Sequence, residues 1–325
     1  MSFKIGIIGF GLIGKKRMTA LENKHEILAI ADSNSELFEP ISENIKCFDD
    51  WRNLISIDEI DLVVVCTRHD SLSEICIEAA KKGKHILVEK PAGRNVDELL
   101  SIKEAVDDNK VNIHVGFNHR YHPSLIKARE IIDSGTLGEL MFIRGRYGHG
   151  GRIGYEKEWR ANKDLSGGGE LIDQGVHLID LAMWFLGDFQ NVSGFLDTLF
   201  WDMEVEDNAF MTLRTEDGKV AFLHASCSEW KNMFSFEIYG KDGKISIEGL
   251  GGSYGLESLT LYKMLPQMGP PETQSWSYPF QDNSWETETE EFIENIMNNE
   301  TSASDINNAI SVMKIVDKLY KENKK

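Results

Sequence analysis

The sequence predicts an α/β protein with two domains: an N-terminal doubly wound parallel sheet, and a C-terminal α+β domain built on a large, mostly antiparallel open sheet. Strands alternate with helices before about residue 118, whereas beyond residue 190 the strands follow one another through short turns. A chain of 325 residues also suits about two domains at roughly 100–200 residues each. We therefore expect residues 1–118 to form the first domain and residues 119–325 the second.

The N-terminal strands are short apolar runs that suit strands buried on both faces of a sheet. The first, Ile5 to Ile8, ends in a glycine-rich turn, and the residues after Gly14 are predicted to begin a helix. Apolar spacing predicts further helices at 71–84 and 95–110, with Asn95 as the cap of the second. The other apolar runs are HEILAIAD (25–32), IDLVVVC (60–66), HILVEKP (85–91) and VNIHVGFN (111–118).

The C-terminal half predicts strands joined by tight turns. Asp217-Gly218 and Asp242-Gly243 each lie between two strand-like runs, as hairpin turns do. Two helices, at about 284–298 and 304–322, are expected to close the chain, and the polar region 264–283 is expected to be a long loop. The strand-like segments are 191–200, 208–227, 234–249 and 258–264.

Composition narrows the classes of partner. A net charge of -18 opposes unspecific binding to nucleic acid or to an anionic membrane. No apolar run reaches the roughly 18 residues of a membrane span, and the opening lacks the order of a signal peptide, so we expect a cytoplasmic protein. The four cysteines are scattered and form no C-x-x-C pair, so neither a disulfide nor a metal is expected.

The motif G-x-G-x-x-G occupies Gly9, Gly11 and Gly14, between the first strand and the first helix. In this context the first glycine allows the tight turn, the second allows a pyrophosphate to come close, and the third allows the helix to pack on the strand. The alternative is a glycine-rich turn without a ligand. We predict dinucleotide binding by residues 9–14, a segment that includes Phe10, Leu12 and Ile13.

Asp32 lies 18 residues after Gly14 (32 minus 14), at the end of the second strand. A carboxylate at this position can hold both hydroxyls of the adenosine ribose and would repel a 2′-phosphate. The next residues, Ser33 and Asn34, provide no arginine for that phosphate. The sequence therefore predicts NAD rather than NADP, with a turn-capping role for Asp32 as the alternative.

Further motifs extend these observations over most of the chain, and together they resemble the Gfo/Idh/MocA oxidoreductase family. The resemblance implies an NAD(P)-binding Rossmann domain, a C-terminal open-sheet domain, and hydride transfer on sugars or cyclitols. The lysine of the family's E-K-P motif matches Lys90, and its D-x-x-x-H motif matches Asp173 and His177. The motifs are GIIGFGLIG (6–14), VEKP (88–91), GFNHRYHP (116–123), the segment 159–187 and the segment 205–226.

The chemistry of these side chains agrees with that reaction. Oxidation of a secondary alcohol needs a base for the hydroxyl proton, and the unperturbed imidazole of His177 has a pKa near 6.5. We predict that His177 exchanges this proton, that Lys90 binds and polarises the reacting oxygen, and that Asp173 anchors a neighbouring hydroxyl. The alternatives are a surface lysine and an ordinary helix pair.

Other residues are candidates for the cofactor side of the site. The resemblance places Asn118 near the nicotinamide ribose, and Glu89 is expected to support the cofactor end of the sheet. Where the family commonly has T-P, this chain has Thr67 followed by Arg68 and His69. Thr67 and Arg68 are therefore predicted to lie at the cofactor, and the role of the Arg68-His69 change stays open.

A basic and aromatic cluster at residues 144–160 is the best clue to the substrate. Arginines bind phosphate or carboxylate, and aromatic faces stack on sugars, so one hypothesis is an anionic sugar that is phosphorylated or nucleotide-linked. A charged strand with a solvated loop, or a subunit contact, has equal weight. The predicted substrate contacts in this segment are Tyr147, Arg152, Trp159 and Arg160.

These predictions combine into an NAD-dependent dehydrogenase acting on a secondary alcohol of a sugar or cyclitol. A non-catalytic NAD-binding regulator with the same fold is the alternative. One face of the open sheet is not covered by predicted helices, and a second subunit can bury it. We therefore expect a homodimer or homotetramer that assembles through the C-terminal sheet.

Overall fold

The computed structural model describes residues 2–39 and 41–323. The chain forms two compact units. Segments far apart in sequence contribute to each: of the described residues, 2–39, 41–117, 165–167 and 285–310 belong to the first unit, and 118–164, 168–284 and 311–323 to the second. The division at residue 118 into a cofactor part and a substrate part stays a prediction.

The first unit contains a six-stranded sheet in the order β3-β2-β1-β4-β5-β6, and all its neighbouring strands run parallel. This confirms the predicted doubly wound parallel sheet. Apolar side chains on both faces of the central strands are buried, among them Ile7 and Val64 on one face and Ile8 and Val65 on the other. The strands are β1 (Lys4–Ile8), β2 (Glu26–Ala31), β3 (Lys46–Phe48), β4 (Leu62–Val65), β5 (His85–Glu89) and β6 (Ile113–Gly116).

The helices of the chain number nine among the described residues. Asn95 caps the fourth of them, because its side chain accepts a hydrogen bond from the backbone N–H of Glu98. They are α1 (Leu12–Leu21), α2 (Trp51–Ile55), α3 (His69–Lys81), α4 (Val96–Asn109), α5 (Pro123–Asp133), α6 (Lys163–Ser166), α7 (Val176–Leu186), α8 (Ser284–Asn298) and α9 (Ile306–Glu322).

The first helix begins earlier than the sequence predicted, at Leu12 rather than after Gly14. The turn before it is tight because Gly9 has a φ of +87°, where a Cβ would lie 2.6 Å from the backbone of Cys66. Gly14 therefore lies inside the helix. A Cβ there would come within 2.1 Å of the Gly9 carbonyl oxygen, so its glycine allows close packing.

The second unit contains an eight-stranded sheet in the order β14-β13-β12-β11-β7-β10-β9-β8. Its pairs are antiparallel except β7 with β10, which confirms the predicted mostly antiparallel sheet. Helices α5 and α7 pack against it. The strands are β7 (Leu140–Gly148), β8 (Phe189–Asp197), β9 (Asn208–Thr215), β10 (Val220–Ser226), β11 (Met233–Gly240), β12 (Gly243–Glu248), β13 (Glu257–Lys263) and β14 (Glu272–Tyr278).

The expectation of one long loop at 264–283 was wrong, because β14 (Glu272–Tyr278) lies within it and pairs with β13. This strand is at the edge of the sheet, and most of its side chains are exposed. It therefore lacks the alternation of apolar and polar residues that marks a strand with one buried face. Both expected hairpins are present, joining β9 to β10 and β11 to β12.

A search of the described residues found no helix that combines the length and the apolar character needed to cross a membrane.

Candidate active site

The glycine turn of the first unit has the features that a dinucleotide requires. A Cβ added at Gly11 would meet nothing within 4 Å, so this α-carbon faces open space. α1 begins at the next residue, Leu12, with no side-chain cap and no acidic residue in its first turn. The amides of that turn and the helix dipole therefore suit the phosphates of a dinucleotide. Phe10 lies in the glycine turn, and Ile13 lies in the first turn of α1.

Asp32 joins this turn to the end of β2. Its Oδ2 accepts a hydrogen bond from the Phe10 N–H at 2.7 Å, and its Oδ1 accepts one from the Asn34 N–H at 2.9 Å. A carboxylate has about four acceptor positions, so two backbone bonds leave capacity for ribose hydroxyls. Ser33, which follows it, is exposed. Asp32 therefore has the turn role that the sequence left open, and its contact with the ribose stays a prediction.

The other predicted cofactor residues of the first unit follow neighbouring strands. β4 and β5 pair in parallel, so their carboxyl ends lie at one edge of the sheet, the edge at which such sheets bind ligands. Thr67 and Arg68 follow β4, while Glu89 ends β5 and Lys90 follows it. The Thr67 hydroxyl accepts a hydrogen bond from Ser71 Oγ at 2.9 Å. Contacts of these four residues with NAD stay predictions.

A buried ion cluster beside Glu89 was missing from the sequence analysis. Arg17 on α1 is fully buried and donates from Nε and Nη2 to Glu89 Oε1 at 2.9 and 2.7 Å. Its Nη1 donates to Glu288 Oε2 at 2.6 Å, and Glu288 Oε1 lies 3.1 Å from His114 Nε2. We call these four residues the Arg17 cluster. Burial alone would lower the pKa of Arg17, but the two carboxylates raise it above its ordinary value.

His69 accounts for part of the departure from the family's T-P pattern. Its side chain is buried, and Nδ1 lies 2.8 Å from the carbonyl oxygen of Ser166. Ser166 belongs to the short segment 165–167 that packs with the first unit. His69 therefore fastens this segment, whereas Arg68 forms a half-exposed ion pair with Asp70 at 3.2 Å.

In the second unit Asp173 and His177 lie on one buried helical segment. A turn of π-helix, Leu171–Gly175, leads directly into α7, and such turns are frequent at functional sites. Asp173 is 9% exposed and His177 is 4% exposed. The His177 ring stacks on that of His119, with centroids 3.8 Å apart and an interplanar angle of 20°. The sequence prediction that this segment is helical therefore agrees with the structure.

Asp173 is held by Arg160, a residue that the sequence placed on the substrate. Arg160 Nε donates to Asp173 Oδ2 at 3.1 Å, and its guanidinium lies 4.5 Å from the ring centroid of Trp159. Burial alone would lower the pKa of Arg160, but Asp173 raises it above its ordinary value. Arg160 therefore compensates the charge of the carboxylate, and Trp159 supports Arg160.

Asn118 contacts the same group of rings. Its Nδ2 donates to Ser284 Oγ at 3.0 Å, and its Oδ1 lies 3.2 Å from His119 Nδ1. Asn118 therefore contacts the edge of the His119 imidazole, and His177 stacks on the face of the same ring. The predicted contact of Asn118 with the nicotinamide ribose stays a prediction.

The basic and aromatic cluster at 144–160 does not form one surface. Along β7 the side chain of Tyr147 is buried near His177, whereas Arg144 and Arg146 are exposed, as the alternation of a strand requires. Arg144 pairs with Glu237 at 2.8 Å, on the exposed side. Arg152 pairs with Glu158 at 2.6 Å. Of the predicted substrate contacts, Tyr147 therefore lies near His177 and Arg160 binds Asp173, while Trp159 packs on Arg160 and Arg152 pairs with another carboxylate.

Glu170 is a second buried carboxyl on the same segment, and it lies outside the sequence motifs that marked Asp173 and His177. Its Oε1 accepts a hydrogen bond from the Tyr155 hydroxyl at 2.9 Å and lies 3.6 Å from His149 Nε2. Burial alone would lower the pKa of His149, but Glu170 and Asp173 raise it above its ordinary value. Burial and the same two carboxyls raise the pKa of Tyr155. We call residues 170–177 the Glu170 turn.

Comparison with known proteins identifies the family. A model described as an oxidoreductase family with an NAD-binding Rossmann fold matches residues 3–117, and a model described as the GFO/IDH/MocA C-terminal domain matches residues 125–246. The chain belongs to the Gfo/Idh/MocA oxidoreductase family. The resemblance seen in the sequence is thereby confirmed.

Relatives in the Gfo/Idh/MocA family include sugar and cyclitol dehydrogenases. The levoglucosan dehydrogenase of Pseudarthrobacter phenanthrenivorans is 27% identical over 284 residues, covering 75% of this chain and 73% of that protein. The inositol 2-dehydrogenase of Rhizobium meliloti is 27% identical over 270 residues, covering 79% and 76%. A levoglucosan dehydrogenase structure in complex with NADH and levoglucosan shares the fold, with a TM-score of 0.89 at 24% identity, over 99% of this chain and 97% of that one.

Membership in the Gfo/Idh/MocA family confirms three sequence predictions: the fold class, NAD as the cofactor, and an oxidoreductase. The individual site residues stay predictions. When bound, NAD supplies a nicotinamide that accepts or donates a hydride. On this chain the open face of Gly11, the uncapped start of α1 and the position of Asp32 fit that cofactor.

Proposed function

We propose that this protein is an NAD-dependent dehydrogenase that oxidises a secondary hydroxyl of a sugar or cyclitol, or reduces the matching ketone. The named activities of its relatives support the reaction class. One observation carries the proposal for this chain: Asp173 and His177 are buried together on one helical segment, with Asp173 held by Arg160 and His177 stacked on His119. Fixed polar groups of this kind orient a hydroxyl and exchange its proton.

The roles of the three proposed catalytic residues follow from their chemistry. His177 takes the hydroxyl proton during oxidation and returns it during reduction, because an imidazole exchanges protons near neutral pH. Lys90 binds and polarises the reacting oxygen. Asp173, whose charge Arg160 compensates, accepts a hydrogen bond from a neighbouring hydroxyl and fixes the orientation of the substrate. Tyr147 and Asn118 complete the proposed substrate contacts.

Two variants and one control test these roles. In Lys90→Met and His177→Asn we expect turnover of a verified substrate to fall by about a hundredfold or more, since positioned acid–base groups contribute roughly 10²–10⁴-fold. NADH binding, followed by nicotinamide fluorescence, should persist in His177→Asn, because His177 is not among the predicted NAD contacts, and it is measured in Lys90→Met so that turnover is compared at saturating NAD. Lys81→Met is the control, because Lys81 forms a surface pair with Glu78 on α3. Near wild-type turnover in Lys90→Met would remove the role assigned to that lysine.

The preference for NAD over NADP rests on Asp32 in this proposal. Replacing Asp32 by Ala removes the carboxylate that repels a 2′-phosphate. We expect the ratio of kcat/KM for NAD to that for NADP to fall about tenfold or more. Because Asp32 also binds the Phe10 and Asn34 amides, unfolding in urea should be measured on the same variant. An unchanged cofactor ratio in a folded variant would leave Asp32 with its turn role alone.

We also propose a cytoplasmic homodimer or homotetramer that assembles through the exposed face of the second sheet. Large apolar side chains on this sheet support the interface: Phe195 is 71% exposed and Phe222 is 54% exposed. All four cysteines are free, which suits a reducing compartment. Light scattering of the wild type and of Phe222→Glu tests the assembly. A monomeric wild type would contradict it.

A further inference from the structure

Two buried acceptor oxygens on the Glu170 turn lack a hydrogen-bond partner among the residues that the structure describes. They are Glu170 Oε2 and Gln174 Oε1. Glu170 is 1% exposed and Gln174 is 8% exposed. Native proteins rarely leave buried acceptors unsatisfied, and a ligand or ordered water usually explains the exceptions. Both oxygens lie on the segment that carries Asp173 and His177.

The other ends of both side chains are fixed. The Tyr155 hydroxyl donates to Glu170 Oε1 at 2.9 Å, which holds the carboxyl in place. Gln174 hydrogen-bonds Tyr254, and the ring of Tyr254 lies 4.9 Å from that of Tyr147. The thiol of Cys227 donates to the Asp207 carbonyl at 3.8 Å and also lies within hydrogen-bonding reach of the Glu170 carboxyl. The two oxygens are therefore held in position by the surrounding side chains.

The spacing of the turn brings its polar side chains to one side. Residues four apart on a helix share a face, so Glu170 lies beside Gln174, and Asp173 beside His177. Tyr147 links the two pairs, because its ring lies 6.0 Å from that of His177 and 4.9 Å from that of Tyr254. The unpartnered acceptors thus belong to the surroundings of the proposed catalytic pair.

The charges near these oxygens favour hydrogen-bond donors over anions. Two carboxyls, Glu170 and Asp173, lie on the turn, and the arginine closest to them along the chain, Arg160, is bound to Asp173. Arg152 is bound to Glu158 instead. Burial raises the pKa of Tyr147, and Asp173 and Glu170 raise it further, as expected in a negative field. An added phosphate would meet like charge, and the two cationic side chains nearest to it, Arg160 and His149, already face Asp173 and Glu170.

We propose that Glu170 and Gln174 form a second hydroxyl-binding subsite beside Asp173 and His177, which selects an uncharged polyhydroxylated substrate over a phosphorylated or nucleotide-linked one. Two substrate hydroxyls donate their hydrogens to Glu170 Oε2 and Gln174 Oε1. A phosphate or carboxylate at the same position has only acceptor oxygens when it is ionised, so it cannot donate a hydrogen bond to Glu170 Oε2 or Gln174 Oε1 and is rejected. This inference rests on the proposed dehydrogenase function and replaces the anionic-sugar hypothesis drawn from residues 144–160.

Matched pairs of substrates provide the first test. The wild-type protein with NAD is given myo-inositol and myo-inositol 1-phosphate, D-glucose and D-glucose 6-phosphate, and further neutral sugars with their phosphates. NADH formation gives kcat/KM for each compound. We expect the neutral member to be preferred by about tenfold or more wherever either member of a pair is oxidised, since a misplaced like charge is costly in a buried site.

Variants provide the second test, with the best neutral substrate. Glu170→Gln keeps the size of the side chain and replaces an acceptor by a donor, and Gln174→Met removes the amide. In each we expect KM to rise about tenfold to a hundredfold, with a smaller change in kcat and an unchanged affinity for NADH. The control is Glu216→Gln, an exposed glutamate in the turn between β9 and β10, which should change KM less than twofold.

The outcomes separate this inference from the proposed function. Preference for the phosphorylated member, or a KM in both subsite variants equal to that of the wild type, overturns the inference and leaves the dehydrogenase intact. Failure to oxidise any neutral or phosphorylated compound, in a protein that binds NADH, counts against the proposed function and the subsite together. The comparison of neutral and phosphorylated substrates uses only the wild-type protein. It therefore tests the inference even if a subsite variant does not fold.

Discussion

Each unit contains a buried polar cluster, and the two clusters are satisfied to different extents. In the first unit the Arg17 guanidinium binds two carboxylates, and within the described ranges no buried side-chain atom of Arg17, Glu89 or Glu288 lacks a partner. In the second unit the Glu170 turn leaves Glu170 Oε2 and Gln174 Oε1 without one, over the same part of the chain.

This difference separates a structural cluster from a binding site. Arg17, Glu288 and His114 come from α1, α8 and β6, so their contacts fasten those elements around Glu89, the residue before Lys90. Buried charges that are fully paired restrict the backbone to one arrangement. The Glu170 turn is held by single hydrogen bonds from Tyr155 and Arg160, and two of its buried acceptor oxygens have no partner among the described residues.

Removing the cation of the first cluster should have the largest effect. Arg17→Met leaves Glu89 and Glu288 buried together without the guanidinium that binds both of them. We expect the free energy of unfolding to fall by about 3–5 kcal/mol, as found when one partner of a buried ion pair is deleted. Urea denaturation followed by tryptophan fluorescence measures this loss. Trp285 contributes to the fluorescence, and its ring centroid lies 4.4 Å from the guanidinium carbon of Arg17.

Arg52→Met is the matched control for Arg17. Arg52 pairs with Glu74 at 2.6 Å, but both side chains are more than half exposed. Its loss should cost less than about 1 kcal/mol. Equal losses in the two variants would contradict a special role for the Arg17 cluster.

Breaking the second cluster should cost less, because it is already partly unsatisfied. Tyr155→Phe removes the donor to Glu170 Oε1 and leaves both oxygens of that carboxyl without a hydroxyl donor. We expect a loss of about 1–3 kcal/mol in the free energy of unfolding. A variant as stable as the wild type would mean that the Tyr155 bond does not hold the carboxyl.

The smallest expected effect depends on pH. Glu170 and Asp173 raise the folded-state pKa of His149 above its unfolded value of ~6.5. The stabilisation from its protonated form is therefore complete below ~6.5 and is lost as the pH rises through the higher folded value. His149→Gln should lower the free energy of unfolding more at about pH 5.5 than at about pH 8.5, and the two losses should differ by at most about 1 kcal/mol. Urea denaturation at the two pH values measures both losses. The reverse trend would contradict this pairing.

Most of the fold can be predicted from the sequence, because short apolar runs and helix caps mark most of its strands and helices. The apolar runs ending at Ile8 and Glu89 predict β1 and β5, and the Asn95 cap predicts the start of α4. Two elements were beyond these patterns. β3 (Lys46–Phe48) has three residues, and the exposed β14 (Glu272–Tyr278) buries too little for an apolar pattern.

The candidate site was predictable only where a motif or a spacing marked it. Asp173 and His177 were found in this way, and the same helical spacing could have identified Glu170, three residues before Asp173. The alternation of β7 could also have separated Arg144 from Tyr147. Burial of Arg17 had no such signal, because Glu89 and Glu288 lie 72 and 271 residues away in sequence.

The central claim is that the unsatisfied oxygens of the Glu170 turn belong to an uncharged substrate. A crystal structure of the protein with NADH and its best neutral polyol tests this most directly. The account predicts substrate hydroxyl oxygens within about 2.5–3.2 Å of both Glu170 Oε2 and Gln174 Oε1. Ordered water on both oxygens, with the polyol bound to other residues, would contradict it.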